Sequence, residues 1–350
     1  MNQSPIIQAR CEHTHAEAGG VKVFALRAKG ADTGFLDALQ PGGHVAIRYP
    51  DFSGTPQQRL YSITRKKESD LFEIAVKRSG HHGVSDYLHS TVKEGSIIPL
   101  QYAASTVTVA SISNFKRVTM LAGGIGITLP MALIRELASL SRSGKHIPAV
   151  ALLLCFPRVA DVPFLQELLE LDLTTEWFTF RVFVTREDIQ ASTHFQPGRP
   201  SDQSLEALQQ PDAVVICGSR TFAHEFRQRI GHRFPGARLF AESFTPPTSP
   251  SESPETPPAS ARLLLAGTGC AIEADTGKNI LENLESNHIS IRSQCRSGIC
   301  GVCRLRVISG NCRFEPDFCL SDTDRANGYA LACCTFPKSG DLTIALHATR

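Results

Sequence analysis

The chain has 350 residues, of which 42% are hydrophobic and 20% charged, with a formal net charge of +2 at pH 7. That length accommodates two to three domains of roughly 100–200 residues, and the composition is that of a folded globular protein. So small a charge argues against nucleic acid or an anionic membrane as the main partner, and the longest apolar run, "AVALLLCF" (149–156), falls well short of the ~20 residues a spanning helix needs.

In chain order, the opening "MNQSPIIQAR" lacks a basic start followed by an apolar core. No signal peptide is expected, and the chain reads as cytoplasmic. Residues 1–113 carry short runs, "VKVFALRA", "HVAIRYP", "RLYSITR" and "LFEIAVKR", punctuated by Gly, Pro and Asp. Such runs predict the strands of an antiparallel β-barrel. Within it, "GHHGVSDYLH" (80–89) turns through Gly83 and Ser85 into a short helix, whose first N–H groups suit a phosphate. His81 and His82 read as solvated loop residues.

From residue 114 to 244 the rhythm changes. "RVTMLA", "AVALLLCF", "FTFRVFVT" and "DAVVICGS" read as buried strands, alternating with helical "LPMALIRELASL", "DVPFLQELLEL" and "TFAHEFRQRI". That alternation predicts a parallel sheet flanked by helices, an α/β nucleotide-binding domain. In "LAGGIGITLP", Gly123, Gly124, Gly126 and Thr128 join a strand to a helix, where a nucleotide can approach the backbone.

Next comes "TPPTSPSESPETPPAS" (245–260), sixteen residues with six prolines, seven Ser or Thr and no large apolar side chain. It cannot bury enough surface to fold, so 245–261 is expected to be a semi-stiff linker, able to span roughly 50 Å at ~3.1 Å per residue.

Residues 262–350 form the last predicted domain. Eight of the eleven cysteines lie between Cys270 and Cys334. Clustered thiols in a cytoplasmic chain more often bind metal or do chemistry than form disulfides. "CRSGICGVC" spaces Cys295, Cys300 and Cys303 as C-x4-C-x2-C, and Cys333 in "ALACC" follows after 29 intervening residues. Three close thiolates and one distant one are the spacing of a [2Fe–2S] site. Structural zinc, the alternative, usually takes two C-x2-C pairs, and only one is present. Cys270, Cys312 and Cys319 are expected to be buried small hydrophobes.

These segments resemble known families. Residues 262–346 resemble a plant-type ferredoxin domain, of α+β ferredoxin-like β-grasp fold, with "CLSDTDRANGYALAC" matching the run ahead of the last ligand. The register favours Cys333 over Cys334 as that ligand. The domain's ten Lys/Arg and nine Asp/Glu leave it near neutral, whereas free plant ferredoxins are acidic. A tether supplies local concentration in place of electrostatic steering.

The first 245 residues resemble the ferredoxin-NADP reductase superfamily, through "RLYS", "PGGHVAIRYP", "GHHGVS", "AGGIGITLP" (one Leu longer than the family's pattern), "VVICGS" and "AESF". The resemblance implies that Arg59 pairs with a flavin phosphate, Tyr61 packs on the isoalloxazine and Ser62 approaches its N5. It places Lys77, Gly83, Val84 and Ser85 in the cofactor-binding set. Cys217 and Gly218 would lie near the nicotinamide, with Glu242 and Phe244 close to the flavin. Ser62, Cys217 and Glu242 are the implied catalytic residues.

The whole domain order resembles the oxygenase-reductase type. It implies an NAD(P)H-dependent oxidoreductase that passes hydride to FAD or FMN, then single electrons through the cluster to an acceptor protein, with a terminal oxygenase as partner. NADH and NADPH both remain open, with Arg158 placed to meet a 2′-phosphate. Alternatives are a reductase serving a hybrid-cluster protein, a redox sensor without turnover and a structural zinc protein.

Overall fold

The computed structural model describes residues 6–31, 33–50, 56–80, 82–103, 107–206, 208–244, 261–293, 295–298 and 300–346. The expected linker at 245–260 and His81 lie outside these residues. The chain divides into two compact units between Glu242 and Ser243.

In the first unit, six strands close an antiparallel barrel. They are β1 (Ile7–Glu17), β2 (Val21–Lys29), β3 (His44–Pro50), β4 (Pro56–Lys66), β5 (Leu71–Lys77) and β6 (Ile97–Ala103), in the order β1-β2-β5-β4-β3-β6. Closure leaves no edge strand to pair with other chains. Two short helices accompany it, α1 (Thr33–Ala38) and α2 (Val84–Thr91). Inward side chains of successive strands, among them Phe24, Leu26, Ile47, Ile63, Phe72 and Ile74, fill the interior. Burying each such side chain contributes about 1.5–3 kcal/mol.

The chain continues through α3 (Val109–Ile112) into a mainly parallel sheet. Its elements are β7 (Arg117–Gly123), α4 (Thr128–Arg142), β8 (Ala149–Phe156), α5 (Leu165–Thr174), β9 (Phe178–Val184), β10 (Phe195–Pro197), α6 (Asp202–Glu206), β11 (Ala213–Gly218), α7 (Arg220–Arg233) and β12 (Arg238–Ser243). The strand order is β10-β9-β8-β7-β11-β12. The order reverses beside β7, so β7 and β11 open a crevice at their carboxyl ends, where such sheets bind ligands.

Helix α4 fixes this sheet to the barrel. Arg135, two turns into α4, donates to both Glu167 oxygens (2.9 and 2.6 Å) and to the Thr64 carbonyl on β4 (3.2 Å). Arg65 reaches the same carboxylate at 2.9 Å. Two guanidinium groups thus outweigh the burial that would otherwise protonate Glu167, and its carboxyl stays below the usual range.

The second unit holds β13 (Ala261–Leu265), β14 (Cys270–Ala274), α8 (Ile280–Ser286), β15 (Arg304–Ser309), β16 (Cys312–Phe314), α9 (Asp322–Ala326), β17 (Tyr329–Leu331), β18 (Thr335–Pro337) and β19 (Gly340–Leu346). Five strands form one sheet, β14-β13-β19-β15-β17, and β16 pairs with β18. Helix α8 starts on a capping box in which Asn279 accepts from Glu282 N (2.9 Å) while the Glu282 carboxylate accepts from Asn279 N (3.0 Å). This is the β-grasp architecture. Ala261 already pairs with Ala274 and Gly340, so the first strand begins one residue before the expected domain boundary.

Candidate redox sites

Two sites follow from the fold, one in each unit. The first lies where the carboxyl ends of β7 and β11 meet β4. Gly123 ends β7, Gly124 and Gly126 form a 3-10 turn, and Thr128 opens α4. A Cβ on Gly126 would lie 2.3 Å from the Cys217 carbonyl oxygen and 2.8 Å from Gly218 Cα. Only glycine lets the two loops approach this closely.

On the barrel side, Ser62 on β4 is buried and paired in register with His44 on β3. Thr128 Oγ1 lies 3.5 Å from Ser62 Oγ and 3.1 Å from the Ile125 carbonyl, which takes its proton on the shorter path. The turn that opens the nucleotide helix therefore abuts the strand carrying "RLYS". His44 Nε2 lies 3.2 Å from Glu242 Oε2, with both side chains 2% exposed. Cys217 is fully buried. Its burial and then the Glu242 charge hold its thiol protonated, well above the ordinary range.

The neighbouring turn is built by Asp86. Its Oδ1 accepts from Ser79 N (2.7 Å) and Gly80 N (3.1 Å), and its Oδ2 from Ser79 Oγ (2.8 Å). Burial opposes the charge, but the Gly80 and Ser79 donors outweigh it and keep the carboxyl well below the usual range. Gly83 then caps α2 with its backbone, no side chain closes that end, and Val84 is buried behind it. A Cβ added at Gly83 would meet nothing within 4 Å, so the α2 N-terminus has room for a phosphate.

Tyr61 OH meets Ser85 Oγ at 3.2 Å, tying β4 to α2. The Tyr61 ring is packed in the barrel core and only 8% exposed, and burial pushes its hydroxyl up to about 12. Arg59 and Lys77 are exposed on β4 and β5, and Phe244 is half-buried just past β12. Arg158 is held by Asp161 through two 3.0 Å bonds.

The second site gathers thiols in the ferredoxin-type unit. Cys295 and Cys300 are in hydrogen-bond contact, and Cys303 Sγ lies 3.4 Å from Cys333 Sγ. Contact between Cys295 and Cys333 joins the two pairs. A [2Fe–2S] cluster would need four thiolate ligands, and Cys295, Cys300, Cys303 and Cys333 are the thiols gathered here that could hold one. The Cys295 contact and then burial raise the Cys300 thiol, contacts with Cys295, Cys303 and Cys334 raise Cys333, and the bond to Cys333 lowers Cys303. Among the described residues no three His, Cys, Asp or Glu side chains form a single-ion cage.

Ser297 N lies 3.4 Å from Cys295 Sγ, and Phe318 N donates to the Gly298 carbonyl at 2.9 Å, pinning the loop. Cys312 and Cys319 are half-buried, but Cys270 is exposed, contrary to expectation. It starts β14, the edge strand, after a turn that leaves it uncovered.

Sequence reasoning missed His44 and Asp86. His44 stands at a strand position inside "PGGHVAIRYP", and its partner, almost two hundred residues away, carries no local signal. Asp86 shows one, since an acid in the first turn of a helix is a capping signature.

A closed barrel, a nucleotide-binding type of parallel sheet and a β-grasp domain, in this order, make up a fold shared with a reductase that passes electrons from pyridine nucleotides to a [2Fe–2S] centre. Residues 263–338 match the family described as "2Fe-2S iron-sulfur cluster binding domain". The chain is 25% identical to the glycine betaine monooxygenase reductase subunit of Pseudomonas aeruginosa, over 96% of this chain and 94% of that one. It is 29% identical to the phthalate 4,5-dioxygenase oxygenase reductase subunit of Pseudomonas putida, over 89% and 88%. The structure of a phthalate dioxygenase reductase superposes with a TM-score of 0.61 at 22% identity, covering 97% of this chain and 98% of that one.

Over nearly its whole length the chain is thus similar to reductase subunits of oxygenase systems, and it shares the fold of phthalate dioxygenase reductase. A ferredoxin NADP+ reductase from Neisseria gonorrhoeae, whose structure holds FAD and NADP, superposes with a TM-score of 0.52 at 18% identity, covering 67% of this chain and 97% of that one. No described helix is long and apolar enough to cross a membrane.

Proposed function

We propose that this chain is the reductase component of a cytoplasmic oxygenase system, delivering electrons from a nicotinamide nucleotide to a terminal oxygenase. The observation that carries the reading is the meeting of Thr128 with Ser62. It sets the nucleotide-binding turn against the flavin fingerprint strand, as direct hydride transfer requires. A bound flavin supplies the exchange between a two-electron hydride and one-electron steps, which no side chain performs.

The protein's part is positioning. Arg59 and the α2 N-terminus at Gly83, Val84 and Ser85 bind the flavin's phosphate, with Lys77 as a further cation at this face. Tyr61 lies against the ring and ties its strand to α2 through Ser85. The Ser62 hydroxyl addresses the flavin N5, and Phe244 covers the flavin. Gly123, Gly124, Gly126 and Gly218 let the nucleotide lie close to the backbone. Cys217, kept as a neutral thiol by burial and by Glu242, offers the nicotinamide an uncharged wall. Cys295, Cys300, Cys303 and Cys333 hold the cluster.

Anaerobic stopped-flow reduction of the full chain tests this reading. Nicotinamide nucleotide should bleach the flavin first and then give the EPR signal of a reduced [2Fe–2S] centre, with matching acid-labile sulfide. Cys300→Ser should lose the second phase and keep the first. A preparation without flavin or iron overturns the reading.

A further inference from the structure

Cys333 and Cys334 are both buried in one 3-10 turn, and their Sγ atoms lie 3.6 Å apart. Cys334 Sγ occupies a particular place. It lies 2.7 Å from where a Cβ on residue 298 would stand, in the loop between Cys295 and Cys300. Gly298 has φ +77, so the loop passes over this sulfur only because residue 298 has no side chain. The Cys334 thiol therefore sits between a ligand sulfur and the backbone of the ligand loop.

We propose that Cys334 is a reserve ligand, able to take over from Cys333 without rebuilding the loop; this rests on the cluster assigned to Cys295, Cys300, Cys303 and Cys333. A jump between staggered χ1 wells moves a cysteine sulfur by about 3 Å, close to the 3.6 Å that separates the two sulfurs. The exchange balances simply: Cys334 gives its proton to solvent, and its sulfur makes the metal–sulfur bond that Cys333 would have made. A filler under Gly298 has no need of a thiol, whereas a ligand does. The ligand set would then survive loss of one of its members, as when a sulfur is oxidised.

Cys333→Ala in the full chain tests the proposal, read by iron and acid-labile sulfide content and by EPR of the reduced protein. The variant should keep at least half of the wild-type iron and sulfide, with shifted g-values, and Cys333→Ala/Cys334→Ala should lose both. A folded, flavin-loaded Cys333→Ala without iron overturns the proposal. If that variant does not fold, Cys333→Ser and Cys333→Ser/Cys334→Ala decide: different EPR spectra support a ligating Cys334, and identical spectra overturn it. Wild-type protein lacking iron and sulfide would instead refute the cluster assignment itself.

Discussion

His44 on the barrel and Glu242 at the end of the nucleotide domain meet at 3.2 Å in a site closed to solvent. Removing one member takes a hydrogen-bonding partner from the other's buried polar group, which typically costs about 1–3 kcal/mol. His44→Leu and Glu242→Leu are each expected to lower the temperature of flavin release in the full chain. The double variant should lie nearer wild type than either single one. Additive losses would mean the two side chains are not coupled.

Asp86 gives a pH-dependent prediction. Its folded pKa is depressed by the Gly80 and Ser79 donors, so its contribution is present above the unfolded value of about 3.9 and is lost as pH falls through the lower folded value. Asp86→Asn should loosen flavin binding at pH 7 by about 1.5–3 kcal/mol, the range for hydrogen bonds to a charged group. The gap from wild type should begin to narrow only below pH ~4 and close as pH falls through the lower folded value. Equilibrium dialysis of the flavin across pH checks both statements.

Gly126→Ala puts a methyl carbon 2.3 Å from the Cys217 carbonyl, so the two loops must part. Overpacking of this kind costs about 1–3 kcal/mol. Nucleotide KM is expected to rise, while iron content and the flavin spectrum stay as in wild type. An unchanged KM would remove this turn from the nucleotide site.

Arg158 is already engaged by Asp161. NADH is therefore the expected substrate, since a 2′-phosphate would compete with a carboxylate for the same guanidinium. Asp161→Asn should raise kcat/KM for NADPH by about tenfold, or ~1.4 kcal/mol, with little change for NADH. The pair is exposed on the arginine side, which keeps its own strength modest.

The parts legible in the sequence were those with local signals. "AVALLLCF" is β8 residue for residue, and the cysteine spacing anticipates which thiols meet. Strand β1 (Ile7–Glu17) carries no such signal, because its apolar positions are small or separated by His and Glu, although its burial alternates. The union of barrel and sheet was hidden too. It depends on Arg135 reaching Thr64 and Glu167, contacts set by how α4 lies on β4 rather than by any run of residues.

The last strand of the iron–sulfur domain is also its middle one, with β13 on one side and β15 on the other. During synthesis, at roughly 5–20 residues per second, all four thiols leave the ribosome before Gly340–Leu346 can stitch the two halves of the sheet together. For that interval the sulfurs belong to an open chain. Assembly machinery thus has its easiest access before the domain closes, and misoxidation its best opportunity.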